Sequence, residues 1–179
     1  VKKQKKMEII DFLSIDSSRL NADIVVEKIE EDPDKLTEVW NLAVEDSYPL
    51  SMRASRVIWL LALKHPYFIE PYVPEIIERL KEISSAGVKR NFMNILSVIP
   101  ISAEYAGILF DMCLKWIENS TEPIGVRANA MSILYSISNT EPELKLELIS
   151  ILETMVPDES MGIETRARLL LRRLYKEIR

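Results

Sequence analysis

Apolar residues recur at intervals of three and four along most of the chain. Val73, Ile76, Ile77, Leu80 and Ile83 form one such series, with Glu75, Glu78 and Glu82 on the opposite stripe. That is the pattern of an amphipathic helix. Leu36, Val39, Trp40 and Ala43 repeat it, as do Leu144, Leu148, Ile151, Leu152 and Met155, opposed by Glu143, Glu147 and Ser150. From Ile101 to Glu118 the polar residues Glu104, Asp111, Lys115 and Glu118 draw one narrow line along an apolar rod. No stretch alternates apolar and polar residues as a half-buried strand would, so the pattern predicts an all-α protein.

Breakers cut this pattern at regular places. Pro33 and Pro142 suit the first turn of a helix, where a missing N–H costs nothing. Pro66 and Pro100 end the helices before them, because proline disfavours helical geometry in its predecessor. Gly87, Gly125 and Gly162 each stand shortly before an arginine, and Pro49 stands before a fourth. Those arginines are Arg53, Arg90, Arg127 and Arg166, spaced by 37, 37 and 39 residues. A turn signal and an arginine returning together at one phase mark an internal repeat. Each period then holds a first helix, A, a short turn, and a second helix, B, that opens on the arginine. The predicted pairs are 33–46 with 49–64, 70–83 with 87–99, 102–118 with 124–138, and 142–156 with 162–178. Residues 1–32 add a tail and a helical cap, with a short helix near 8–13 and a longer one over 18–31.

The tract Val126-Arg127-Ala128-Asn129-Ala130-Met131-Ser132-Ile133-Leu134 resembles the second helix of a HEAT repeat. Arg53-Ala54 and Arg166-Ala167 are similar, whereas Lys89-Arg90-Asn91 departs, with lysine in place of valine and asparagine in place of alanine. The resemblance covers residues 33–179, as four repeats at about 33–66, 67–100, 101–140 and 141–179 in one structural domain. It implies an α-α superhelix of the armadillo-like, HEAT-like solenoid kind. One helix pair is apolar on both sides and buries those sides only by stacking on its neighbours. Stacking predicts A helices outside and B helices lining a concave face. The resemblance also implies a structural ladder, in which Arg53, Arg90, Arg127 and Arg166 pair with acids near the A–B turns. Asp46, Glu82, Glu118 or Glu122, and Asp158 lie upstream.

Composition narrows the function. Of 179 residues, 47% are apolar and 28% charged, a balance that supports a folded core rather than a disordered chain. One cysteine, Cys113, excludes an internal disulfide, and one histidine, His65, leaves little for a metal site. We expect no cofactor and no metal. Cys113 lies between Met112 and Leu114 on an apolar helix and reads as a core thiol, and His65 reads as a helix-end or surface residue. Four glycines in no phosphate-loop pattern leave no nucleotide signature. The longest aliphatic-aromatic run, residues 57–63, falls far short of the ~20 residues a bilayer span needs. Lys2, Lys3, Lys5 and Lys6 precede too short an apolar stretch for a secretory leader, so the expectation is a solvated tail and a cytoplasmic protein without membrane contact.

Net charge is −5, which argues against a surface that coats nucleic acid throughout. Resolved by repeat, the charge changes meaning. The A segments with their following turns carry −13, and the B segments +10. The predicted concave face is therefore basic. Arg56 with Trp59, and Arg168, Arg172 and Tyr175, fall near helical spacing, and Arg173 adds to the most basic helix of the chain. Arginine beside an aromatic ring is a frequent binding anchor. The expectation is a non-catalytic scaffold or adaptor that binds an acidic protein or peptide on that face. The alternative is a nucleic-acid-binding module using the same cations. Some HEAT-like proteins are alkylpurine DNA glycosylases, but that chemistry wants a concave carboxylate, and the B segments offer only Glu164 and Glu177, both at the C-terminus. Self-association is a further expectation, since acidic outer and basic inner layers are complementary. Trp40 and Trp116 read as core residues, and Tyr67, Phe68 and Tyr72 as packing between repeats.

Overall fold

A computed structural model of the chain describes residues 7–45, 47–156 and 160–179. The lysine-rich tail and the two acids Asp46 and Asp158 lie outside them. Among the described residues the fold is all-α, with ten helices and no strand. The chain divides into two compact units, Val1–Ile95 and Leu96–Arg179.

The first unit contains α1 (Ile9–Ile15), α2 (Arg19–Glu31), α3 (Lys35–Val44), α4 (Leu50–Lys64), α5 (Val73–Arg79) and all but the last residue of α6 (Ala86–Leu96). Helices α3 and α4 form a hairpin, and α2 and α1 pack on α4 and, less extensively, on α3. The apolar stripes meet here. Val25 and Ile29 of α2, Val39 of α3 and Val57, Ile58 and Leu61 of α4 are almost wholly buried. Trp40 sits between Tyr72, at 4.4 Å, and Phe92, stacked at 5.7 Å, and so ties α3 to the second repeat. Gly87 allows α6 to approach α4. An added Cβ would lie 2.9 Å from Met52 Cγ.

The second A helix is much shorter than the predicted 70–83. Residues 66–72 form two 3₁₀ turns, and only Val73–Arg79 is α-helical. Pro66, Pro71 and Pro74 explain the start. Each removes a donor, and Pro71 also restrains the backbone before it, so the regular ladder opens only once Pro74 falls in the first turn. The apolar spacing continues through the turns because they too must bury one side. Ile69 is fully covered although it lies between them.

The second unit contains α7 (Ala103–Glu118), α8 (Ile124–Thr140), α9 (Leu144–Met155) and α10 (Met161–Glu177). Helices α7 and α8 form a hairpin, and α9 and α10 pack on each other and on α8. Leu109, Cys113 and Ile117 of α7 meet a core that includes Ile133 and Leu134 of α8, Leu148 and Leu152 of α9, and Ala167 and Leu174 of α10. Trp40 is buried, whereas Trp116 is only half-buried.

Candidate functional site

A hollow of about 410 Å³ opens in the first unit between the α1–α2 turn, α4 and α6. The helical repeat explains which side chains reach it. Met52, Arg53, Arg56 and Trp59 follow one another at steps of one and three on α4, and Arg90, Asn91 and Asn94 do so at one and three on α6. Leu13, Asp16, Ser17, Ser18 and Asn21 supply the opposing wall.

Two of the arginines are fixed by neutral oxygens. Arg53 donates from Nη1 to the Leu13 carbonyl at 2.8 Å and from Nε to Ser17 Oγ at 3.2 Å. Arg56 donates from Nη1 to the Ser17 carbonyl at 2.7 Å. Leu13 lies in the last turn of α1, where carbonyls lack an intrahelical donor, so Arg53 both satisfies that end and places a cation at the negative pole of the helix. Asp16 is the one carboxylate on this wall. Its Oδ1 accepts from the Ser18 N–H at 2.7 Å and from Asn21 Nδ2 at 2.8 Å. These contacts, chiefly those from the Ser18 hydroxyl and then its N–H, hold the carboxyl below its ordinary range, with the charge of Arg53 the smallest contribution. Asn91 is buried and donates to the Met52 carbonyl at 3.2 Å and to Ser55 Oγ at 3.0 Å, which locks α6 against α4 under the hollow.

In the second unit the basic helix α10 shows two faces. Arg168, Arg172 and Tyr175 line an open hollow of about 330 Å³ with Glu153, Val156 and Leu171 of the α9–α10 pair. Arg168 pairs with Glu164 at 2.7 Å, and the Tyr175 hydroxyl donates to Glu153, which raises the phenol above its ordinary value. Arg166 and Arg173 turn instead toward α8 and line a polar hollow of about 340 Å³ with Ser132, Ser136 and Asn139 among others. Arg173 lies 5.9 Å from the Tyr135 ring, and Glu177 accepts from Lys145 at 2.8 Å and from the Tyr135 hydroxyl.

The residues picked out by sequence therefore fall in three places. Arg56 and Trp59 meet in the first unit. Arg168, Arg172 and Tyr175 share one side of α10, and Arg173 occupies the other. The four arginines of the repeat have unlike settings. Arg127 is 4% exposed and donates from Nε and Nη2 to the Ile117 carbonyl. Arg53 is bonded across to α1, and Arg90 and Arg166 are exposed beside hollows. Arg53 donates to a main-chain carbonyl and a serine and Arg127 to a main-chain carbonyl, and the expected ladder acids Asp46 and Asp158 lie outside the described residues. Asp16, Asn91 and Asn94 were missed as lining residues. The signal for Asn91 was its departure from the small apolar residue that the repeat places there.

Cys113 is buried, and desolvation pushes its thiol far above the ordinary value, so it is no nucleophile. His65 follows the last residue of α4 and meets Glu30 at 2.7 Å. Among the described residues no group of histidine, cysteine, aspartate and glutamate could hold a metal ion, and no helix is long and apolar enough to cross a membrane.

Helix hairpins packed on further helices within each unit, with an arginine near the start of each B helix, define an all-α protein of the helical-repeat, solenoid class. The chain belongs to the HEAT repeat family, whose domain model matches residues 9–174. No curated protein and no solved structure matches it. The match begins at residue 9, so α1 and α2 fall inside the family's domain as well as the helices after residue 33. HEAT repeats commonly mediate protein interactions, and the family is generally non-enzymatic.

Proposed function

We propose that this chain is a non-catalytic scaffold or adaptor that holds an acidic protein or peptide on the basic side of its B helices, with the hollow between α4 and α6 as the principal anchor. The observation that carries this reading is the meeting of Arg53, Arg56, Arg90 and Trp59 in one hollow, with Arg53 and Arg56 held by neutral acceptors. Bonds to carbonyls orient a guanidinium without cancelling its charge. The site thus presents oriented positive charge beside a half-buried indole, the two residue types that dominate binding hot spots. Little ordering remains to be done on binding, and the field of the arginines steers an acidic partner toward the site. The repeats at about 33–66, 67–100, 101–140 and 141–179 supply the rigid support, and the cytoplasmic location expected from sequence goes with this reading.

The test is affinity capture from a native lysate with wild type and with Arg56→Glu, each with and without nuclease. An acidic protein retained by wild type after nuclease treatment, and lost with Arg56→Glu at an unchanged melting temperature, supports the reading. Retention that disappears on nuclease treatment, or that ignores the Arg56 substitution, overturns it in favour of a nucleic-acid module or another surface.

A further inference from the structure

We propose that the outward face of α10 docks against the outward face of α2 in a second copy of this chain, a basic ridge meeting an acidic one. The contact lies outside the α4–α6 hollow. It goes beyond the acidic-partner reading, because it names the chain itself as a partner.

Each face follows from what its helix buries. Helix α2 turns Ala22, Val25, Val26 and Ile29 into the core, which leaves Leu20, Asp23, Glu27 and Glu31 on the far side. Helix α10 turns in Ile163, Ala167, Leu170, Leu171 and Leu174, which leaves Met161, Arg168, Arg172 and Lys176. The charged residues of both faces advance by four, so each set forms one ridge along its helix. Asp23, Glu27 and Glu31 thus match Arg168, Arg172 and Lys176 in spacing, with opposite sign.

Most of each ridge is unsatisfied. Asp23 is paired with Arg19, and Arg168 with Glu164. Glu27, Glu31, Arg172 and Lys176 are exposed and have no ion-pair or hydrogen-bond partner among the described residues. Like charges one turn apart repel, Glu27 against Glu31 and Arg172 against Lys176, and a ridge of the other sign relieves both repulsions at once. The members of each pair stand about 6 Å apart along the axis, so two ion pairs form in one alignment. An acidic peptide or a nucleic acid would satisfy α10 alone, whereas a second copy satisfies both faces.

Apolar surface lies on the same two faces. Met161 is 82% exposed and Leu20 69%, two of the three most exposed large apolar side chains among the described residues. Leu169 adds to the α10 face. Their burial supplies an apolar part to the contact, and the ridges decide which faces meet. Each copy offers both faces, so association closes a ring or runs on into a chain.

The experiment is sedimentation velocity on the full chain. Surface ion pairs contribute little each, so the assembly is weak and is sought up to about 500 µM protein in about 50 mM salt. The expected result is a sedimentation coefficient that rises with concentration, and less steeply in about 500 mM salt. Glu27→Lys with Glu31→Lys weakens association by about tenfold or more, and so does Arg172→Glu with Lys176→Glu. The decisive arm mixes these two double variants. Each alone carries two ridges of one sign, but together they restore opposite signs at every junction, so the mixture associates where neither variant does. Asp111→Lys with Glu118→Lys, the same change of charge at exposed positions of α7, leaves association intact. A wild type that stays monomeric throughout, a mixture that stays monomeric, or an equal loss with the α7 variant overturns the inference. No arm alters the α4–α6 hollow, so the acidic-partner reading stands or falls on its own test.

Discussion

Arg127 donates from both Nε and Nη2 to the carbonyl of Ile117, at 3.0 and 2.6 Å. The carbonyl belongs to the last turn of α7, where no further helical N–H can reach it, and the guanidinium is buried with it. Opening the B helix with arginine therefore finishes the A helix before it. Arg127→Ala removes the donors and leaves a buried acceptor unsatisfied, so it lowers stability by about 1–3 kcal/mol. Urea unfolding followed by circular dichroism measures this. Arg127→Lys, with one compact ammonium in place of the fork, recovers only part of the loss. An unchanged midpoint for Arg127→Ala sinks the structural role.

Two glycines on helices are expected to respond with opposite signs. Gly107 lies in the middle of α7, and a Cβ there meets nothing within 4 Å. Gly107→Ala gains roughly 0.5–1 kcal/mol, since glycine loses more backbone freedom in a helix than alanine. Gly87→Ala brings a Cβ to 2.9 Å from Met52 Cγ across the α4–α6 contact. Relief requires Met52 to shift in a packed contact, which costs about 1–3 kcal/mol and exceeds the propensity gain. Denaturation midpoints of the two variants should move apart. A stabilised Gly87→Ala shows that Met52 yields freely.

The helices were legible wherever the apolar spacing was uninterrupted. Sequence placed α4, α7, α8 and α10 within two residues of their observed ends, because their apolar spacing is uninterrupted and prolines stand just before α4, α7 and α8. It failed at α5, where Ile76 and Ile77 keep the spacing but Pro71 and Pro74 forbid the ladder before it. The site was half legible. Arg56 and Trp59 share a helix at a spacing of three, and that much can be counted along the chain. The wall formed by Leu13, Asp16 and Ser17 comes from about 40 positions earlier, and two of its three hydrogen bonds to arginine use main-chain carbonyls. Every residue owns a carbonyl, so no residue type announces which one an arginine will find.

A small pH response is expected at the end of α4. Lys64 and His65 both donate to Glu30 on α2, and these contacts, Lys64 first, hold its carboxyl below the ordinary 4.5. A depressed value means that the folded state favours the ionised form. Its contribution is present above the ordinary value and fades as pH falls through the lowered one. Glu30→Gln should melt slightly below wild type at pH 7, and the gap should close as the pH drops below 4.5. A gap that stays constant into acid places the effect in packing rather than charge.

The Cys113 thiol can report on the core that Arg127 secures. It is fully covered in α7, one turn before Ile117, and burial raises its pKa so far that no appreciable thiolate exists at pH 8. Alkylation by iodoacetamide needs both access and thiolate, so the native protein should resist it and label only as the second unit opens. Mass spectrometry after brief pulses across a urea series should then trace a single transition. Arg127→Ala should shift that transition to lower urea, since α7 loses the donor that closes its last turn. Rapid labelling in the absence of urea, or a labelling curve that ignores the Arg127 substitution, would show that the α7–α8 core opens independently of that bond.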